Sequence, residues 1–328
     1  MGESEVLKLN DYCFEMILSQ LSMEGQISFA QTCQRFRGVF MGWSRREFAS
    51  VWIVGEVLAV ELRLLSEVAM SVKKLNIYCN DLDSCFDSQY PNRSRNILIK
   101  NFCRLIQSMR NLQLVKIWQG NRHSTSISKH VLRILKDSSQ LRQLHICTLM
   151  TPSTRNYMTA AKTQAAPCQC SSISWLARGP RTTLLSLSVK GQICAVHEAE
   201  SLASIKSLEV LDCNFSNPDC VLLLTGLSSL RALRITYLQQ IDISSAYLYL
   251  IRQCRELRFL RIFDYNINPD FVREGLRSAT DVEAKKPLKL LIHGRHNSST
   301  LREFTSMAED KKNIIFRSLT ATELFTLI

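Results

Sequence analysis

Leu230-Arg231-Ala232-Leu233-Arg234-Ile235 decides the fold, because its apolar-x-x-apolar-x-apolar pattern recurs on either side. It precedes itself at Leu208-Glu209-Val210-Leu211-Asp212-Cys213 and follows itself at Leu257-Arg258-Phe259-Leu260-Arg261-Ile262. Working outward, the pattern returns at Val72-x-x-Leu75-x-Ile77, Leu112-x-x-Val115-x-Ile117, Leu141-x-x-Leu144-x-Ile146 and Leu184-x-x-Leu187-x-Val189, and more weakly at Leu288-x-x-Leu291-x-His293. One match arises by chance in any leucine-rich helix. A series of them reads as short strands whose alternate residues enter a core. Helical spacing follows most of them, over Arg95–Ser108, Ser126–Lys136, Pro218–Thr225, Ser244–Gln253, Pro269–Arg277 and Ser299–Ala308. Asn217-Pro218 and Asn268-Pro269 open two of these with a cap followed by proline. No single strand–helix unit can bury its own apolar face, so the units must stack. The expected class is α/β.

Strand alternation also predicts a surface. Residues two, four and six places after each leading apolar position point away from the core. Those positions hold Lys116 and Trp118, His145, Asp212, Arg234, and the trio Phe259, Arg261 and Phe263. Neighbouring strands lie about 4.8 Å apart, so Arg234 and Arg261 should be adjacent with the two phenylalanines beside them. Arginines interleaved with exposed aromatics are the usual material of binding hot spots.

Spaced at several points near the ~20–29-residue period of that family, the units resemble leucine-rich repeats of irregular, long-repeat type. The resemblance implies an irregular α/β solenoid over residues 72–319 and a concave strand face that holds a target protein. Two stretches interrupt it. Residues 79–94 carry Asp81, Asp83, Asp87, Pro91 and Asn92 and read as a polar loop, and residues 148–183 read as an insertion loop rich in Thr, Ser, Ala and Gln. Residues 51–71 read as a helical linker, and residues 320–328 as a C-terminal tail or cap.

The first fifty residues have a different rhythm. Phe14, Ile17, Leu18 and Leu21 fall three and four apart, which places an apolar stripe on a helix that Asn10 or Asp11 can cap. Ile27, Ala30 and Cys33 form a second short run, and Phe36, Phe40 and Trp43 a third. So small a helical unit has more apolar side chains than it can hide, which suggests docking. The spacing of Leu9, Ile17-Leu18, Leu21 and Cys33-Gln34-Arg35-Phe36 resembles the F-box over residues 7–50. Asn10 stands where that family has Pro, Tyr12 where it has an acidic residue, Gln26 where it has Leu, and Phe36 where it has Trp. By this resemblance, the three-helix module docks on a Skp-family adaptor, with Leu9, Asn10, Ile17, Leu18, Leu21, Cys33 and Phe36 on the motif positions.

The remaining features narrow the class. Twelve cysteines lie scattered with no Cys-x-x-Cys, which suits reduced, buried thiols and neither a disulfide framework nor a metal site. The N-terminus has no basic region leading an apolar run, Gly2 lacks the context for myristoylation, and apolar stretches are too short for a membrane span. A cytoplasmic or nuclear protein without membrane attachment is expected. None of the six histidines sits in a catalytic motif, and only eleven glycines occur, so no enzyme and no cofactor is expected. The net charge of +12 is dispersed, without the motifs of a nucleic-acid reader. Together the two resemblances imply the substrate-recognition subunit of an SCF-type cullin–RING ubiquitin ligase, holding an unknown target protein while other subunits do the chemistry. The alternative is an adaptor-independent repeat scaffold that binds an acidic protein or RNA.

Overall fold

A computed structural model describes residues 5–54, 59–79, 82, 92–120, 126–149, 183–193, 195–237, 239–264, 266–268, 270–271, 273–274, 288–294 and 314–318. The chain divides into two compact units, Met1–Trp118 with Thr125–Leu141, and Gln119–Ser124 with Arg142–Ile328.

The first unit begins with three helices, α1 (Asp11–Gln20), α2 (Met23–Thr32) and α3 (Gln34–Glu47). Each opens on a side-chain cap. Asn10 Oδ1 accepts from the Cys13 amide at 2.9 Å, Ser22 Oγ from Gly25 at 3.2 Å, and Cys33 Sγ from Phe36 at 3.5 Å. Each cap satisfies an amide that the helix itself leaves unpaired. Phe14, Leu18, Ile27, Ala30, Val39, Phe40 and Trp43 form the buried interior of this bundle.

Strands follow. β1 (Ser50–Ile53), β2 (Lys74–Tyr78) and β3 (Leu114–Gly120) run parallel in chain order. Helices α4 (Ala59–Glu67) and α5 (Asn92–Ser108) lie between them in sequence, and α6 (Ser126–Leu135) packs on α5. Parallel neighbours need such crossovers, because a tight turn can only reverse the chain. β1 corrects the expectation of a purely helical linker over 51–71. Val51 and Ile53 are buried while Trp52 is exposed, an alternation too short to show as a repeat, and the leading leucine is missing. A buried hydrogen bond of 2.9 Å between the Ser44 and Ser71 hydroxyls ties α3 to the turn that precedes β2.

The second unit contains β4 (Gln143–Leu149), β5 (Ser186–Ile193), β6 (Val210–Phe215), β7 (Ala232–Tyr237), β8 (Phe259–Asp264), β9 (Lys289–Gly294) and β10 (Ile314–Ser318). These are also parallel and in chain order. The helices between them are α7 (Val196–Ala203), α8 (Pro218–Leu222) and α9 (Ser244–Gln253). Asn217 caps α8 with proline at its first turn, as the sequence predicts. The sequence spacing does not predict α7. Leu187, Leu211, Leu233, Leu260 and Leu290 occupy matched register positions and are at most 1% exposed, so one leucine row runs through successive strands. The amides of Val210, Ala232, Phe259 and Lys289 repeat one bond, each to the carbonyl that begins the preceding strand, at 2.8–3.0 Å.

That register corrects the weakest sequence match. In β9 Leu290 and Ile292 pair with Leu260 and Ile262, so the frame Leu288-x-x-Leu291-x-His293 read from the sequence lies one residue late. A slip of one residue moves every side chain to the other face. β10 also escapes the sequence pattern, since Ile314-Ile315-Phe316 lacks the leucine spacing. The bulk of the predicted loops at 79–94 and 148–183, the helix over Ser299–Ala308 and the tail 320–328 lie outside the described residues. So does most of the helix expected over Pro269–Arg277.

The core row that continues Phe215 and Tyr237 ends on a carboxylate, Asp264, which is 1% exposed. Its Oδ2 accepts from the Tyr247 hydroxyl of α9 at 3.0 Å, and its Oδ1 from the Asn266 amide at 2.8 Å. Burial pushes the carboxyl up to about 6, against the opposing pull of those two bonds. A raised carboxyl pKa means the fold prefers the protonated form. Its stabilising contribution is therefore complete below the ordinary carboxylate range and is lost as pH rises through about 6. We expect the stability of the wild type, relative to Asp264→Asn, to fall by on the order of 2 kcal/mol between pH ~4 and pH ~7.5. Denaturant titrations of both proteins across that range measure it, and a difference that does not vary with pH contradicts the assignment.

Candidate functional site

The helical module sorts its motif residues into two groups. Leu18 is fully buried, and Phe36 stacks on Phe29 with ring centroids 4.4 Å apart and planes 5° from parallel. Phe14 meets Phe36 at 4.8 Å and Phe29 at 5.9 Å, completing an aromatic cluster beneath the Arg35 guanidinium. Cys33 is half-buried and serves as the α3 cap, so Cys33 and Phe36 are spaced as a capping pair. Leu21 is half-buried. These side chains build the module.

Others face outward. Leu9 is 37% exposed and Ile17 40%, and Asn10 is exposed while capping α1. Tyr12 and Met16 are exposed too, at 68% and 51%, and being four apart on α1 they are helix-surface neighbours. Sequence periodicity puts Ile17 in the buried stripe. The structure turns it toward solvent because Phe14 and Leu18, four apart, already fill the face toward α2 and α3. Two polar side chains hold the ends of α1. Gln26 Nε2 donates to the carbonyls of Leu18 and Leu21, both at 3.2 Å, so a polar residue closes the C-terminal end of α1. Arg35 donates to the Leu9 carbonyl, which holds the chain as it enters α1.

On the strands of the first unit, Trp52, Tyr78 and Trp118 form a ladder. Trp52 and Tyr78 lie 6.4 Å apart at 28°, and Tyr78 and Trp118 lie 5.4 Å apart at 9°. Trp52 at the end of the ladder is 59% exposed, whereas Lys116 and Trp118 are half-buried. The indole Nε1 of Trp118 is buried and finds no acceptor among the described residues. Strand alternation in the sequence places Trp118 here and misses Trp52, because β1 carries no repeat signature.

The second unit presents its own outward row. Arg234 and Arg261 are register neighbours, as strand alternation predicts. Arg234 faces Asp212 on β6 at 3.9 Å, an exposed pair worth at most about 1 kcal/mol. Arg261 lies over the Phe263 ring at 4.5 Å and donates from Nε to His293 Nε2 at 3.2 Å, while His293 stacks on Phe263 at 4.4 Å. Phe259 and Phe263 are half-buried, and so is His145, which pairs in register with Ser188 on β5. His293 is 1% exposed and sits in a strand. As sequence alone, His293-Gly294-Arg295-His296 reads as a loop. Only the corrected register of β9 puts His293 on the face of Phe263.

This arrangement suits binding. Arginine and aromatic groups, held in place by Asp212 and by the buried His293, offer planar donors and apolar edges to a partner with little entropy left to lose. Among the described residues no group of three or more His, Cys, Asp or Glu could hold a metal ion. Five of the eight described cysteines are buried, and burial pushes the thiols of Cys103 and Cys254 up to about 11, which leaves them little thiolate for chemistry. Compared with known proteins, the chain matches no family model and no curated sequence.

The caps make a direct prediction. Asn10→Ala should cost the module about 1 kcal/mol, and Asn10→Asp, which keeps an acceptor at the positive end of α1, should be close to neutral. Amide hydrogen exchange in residues 11–20 reads the difference, and equal exchange in all three proteins contradicts the capping role.

Proposed function

We propose that this chain is the substrate-recognition subunit of an SCF-type cullin–RING ubiquitin ligase, with an F-box-like module over residues 7–50 and leucine-rich repeats after it. The observation that carries this reading is the division of labour in the module. Leu18, Phe36 and Cys33 fold it, and Leu9 and Ile17, with Tyr12 and Met16, are left exposed on its outside. Large side chains exposed together on a small helical unit suit docking of a partner protein. The Skp-family adaptor is the partner implied by the motif spacing, and the cullin–RING assembly is reached through it. In this reading the repeats form a solenoid, and their outward strand residues hold the target: Trp52 and Trp118 in the first unit, Arg234, Arg261 and Phe263 in the second. The chain supplies proximity and orientation, and other subunits transfer ubiquitin. The setting is the cytoplasm or nucleus. No described helix is long and apolar enough to cross a membrane.

Lys116, Arg234 and Arg261 on the strand faces, in a chain of net charge +12, favour a second reading. In it the same surfaces bind an acidic protein or RNA with no ligase attached. Co-expression with a Skp-family adaptor separates the two. The proposal expects stoichiometric capture of the adaptor by the wild type, weakened at least about tenfold by Met16→Asp with Ile17→Asp. Both side chains are exposed, so thermal unfolding should be unchanged in this variant. A folded wild type that captures no adaptor, and instead binds RNA with a steep salt dependence, contradicts the proposal and supports the scaffold reading.

A further inference from the structure

The helical side of the second unit carries a feature that the strand-face reading does not use. α7, α8 with the 3-10 turn Leu223–Gly226, and the approach to α9 enclose an open groove of about 1190 Å³. Val196, Leu222, Ile241 and Tyr249 line it, exposed at 40%, 37%, 56% and 47%. Side chains of this size are ordinarily scattered singly over a surface, and four around one groove form a patch. The charge of the groove sets it apart further. Glu200, Asp219 and Asp242 line it, all three exposed, and none forms an ion pair with a described residue. The one lysine there, Lys206, is held by its Nζ donating to the Gly226 carbonyl at 2.7 Å. A chain with 41 basic and 29 acidic residues has thus placed around these apolar side chains three exposed carboxylates that no described residue neutralises.

We propose that this groove is a second docking site, for a basic amphipathic helix of a partner protein. The volume equals that of roughly ten residues of α-helix taken as a cylinder about 10 Å wide. A helix with an apolar stripe and flanking Lys or Arg satisfies both features at once: the stripe covers Ile241, Tyr249 and Leu222, and the flanking cations meet the three carboxylates. An acidic helix would be repelled, and so would an anionic membrane surface. The site goes beyond the ligase reading, because all its lining residues belong to the second unit and the exposed residues of α1 to the first.

The test uses the full chain as bait for a display library of helix-forming peptides of about fourteen residues. The library fixes leucine at the stripe positions and randomises the flanking ones between Lys, Glu, Gln and Ser. The proposal expects enrichment of Lys flanks, with the affinity of a selected peptide lowered about tenfold by Ile241→Asp or Tyr249→Ala. The double reversal Glu200→Lys with Asp242→Lys should move the selection to Glu flanks. These four side chains are exposed, and unchanged thermal unfolding confirms that each variant folds. Selection of neutral or acidic flanks by the wild type, or no enrichment above the Ile241→Asp bait, overturns the proposal. So does sedimentation showing a dimer of the chain that Ile241→Asp dissolves, because a second copy would then occupy the groove.

Discussion

Everything in the second unit depends on keeping one register through successive parallel strands. Leu187, Leu211, Leu233, Leu260 and Leu290 must stay in line, because a slip of one residue would turn each of them out of the core. Burying one such leucine contributes roughly 2 kcal/mol, and deleting one leaves a cavity that costs about 2–5 kcal/mol. The same alignment sends the intervening residues outward. It therefore fixes which side chains meet on the opposite face, and the Arg261–Phe263–His293 cluster follows from the core spacing.

This coupling explains which parts are legible in the sequence. Where a strand begins with a leading leucine and holds Leu-x-Ile, both faces can be read, and the Arg234–Arg261 pairing follows from strand alternation alone. β1 and β10 lack that leader. Val51-Trp52-Ile53 and Ile314-Ile315-Phe316 are short apolar runs whose period alone cannot separate strand from buried helix. Trp52 is lost with β1. In β9 three apolar residues in a row, Leu290-Leu291-Ile292, allow two frames, and only pairing with β8 selects one. His293 is missed for that reason.

The N-terminal module is legible in its first cap and less so in its faces. Asn10 and Asp11 are both candidates to cap α1, and Asn10 is the one that does. Periodicity identifies Phe14, Ile17, Leu18 and Leu21 as one stripe, but two helices packed against α1 need only a narrow face, and Phe14 and Leu18 supply it. The surplus faces outward. Two polar side chains fasten the ends of this helix, with Gln26 closing α1 and Arg35 holding its entry. The module thus keeps its fold with few apolar residues and leaves others exposed.

The most direct test of this account is the hydrogen-exchange footprint of a purified Skp-family adaptor on the whole chain. The account predicts a one-to-one complex that protects residues 6–23 and leaves exchange in the strands from 186 to 264 unchanged. Protection confined to those strands, or no complex with a well-folded chain, would contradict it.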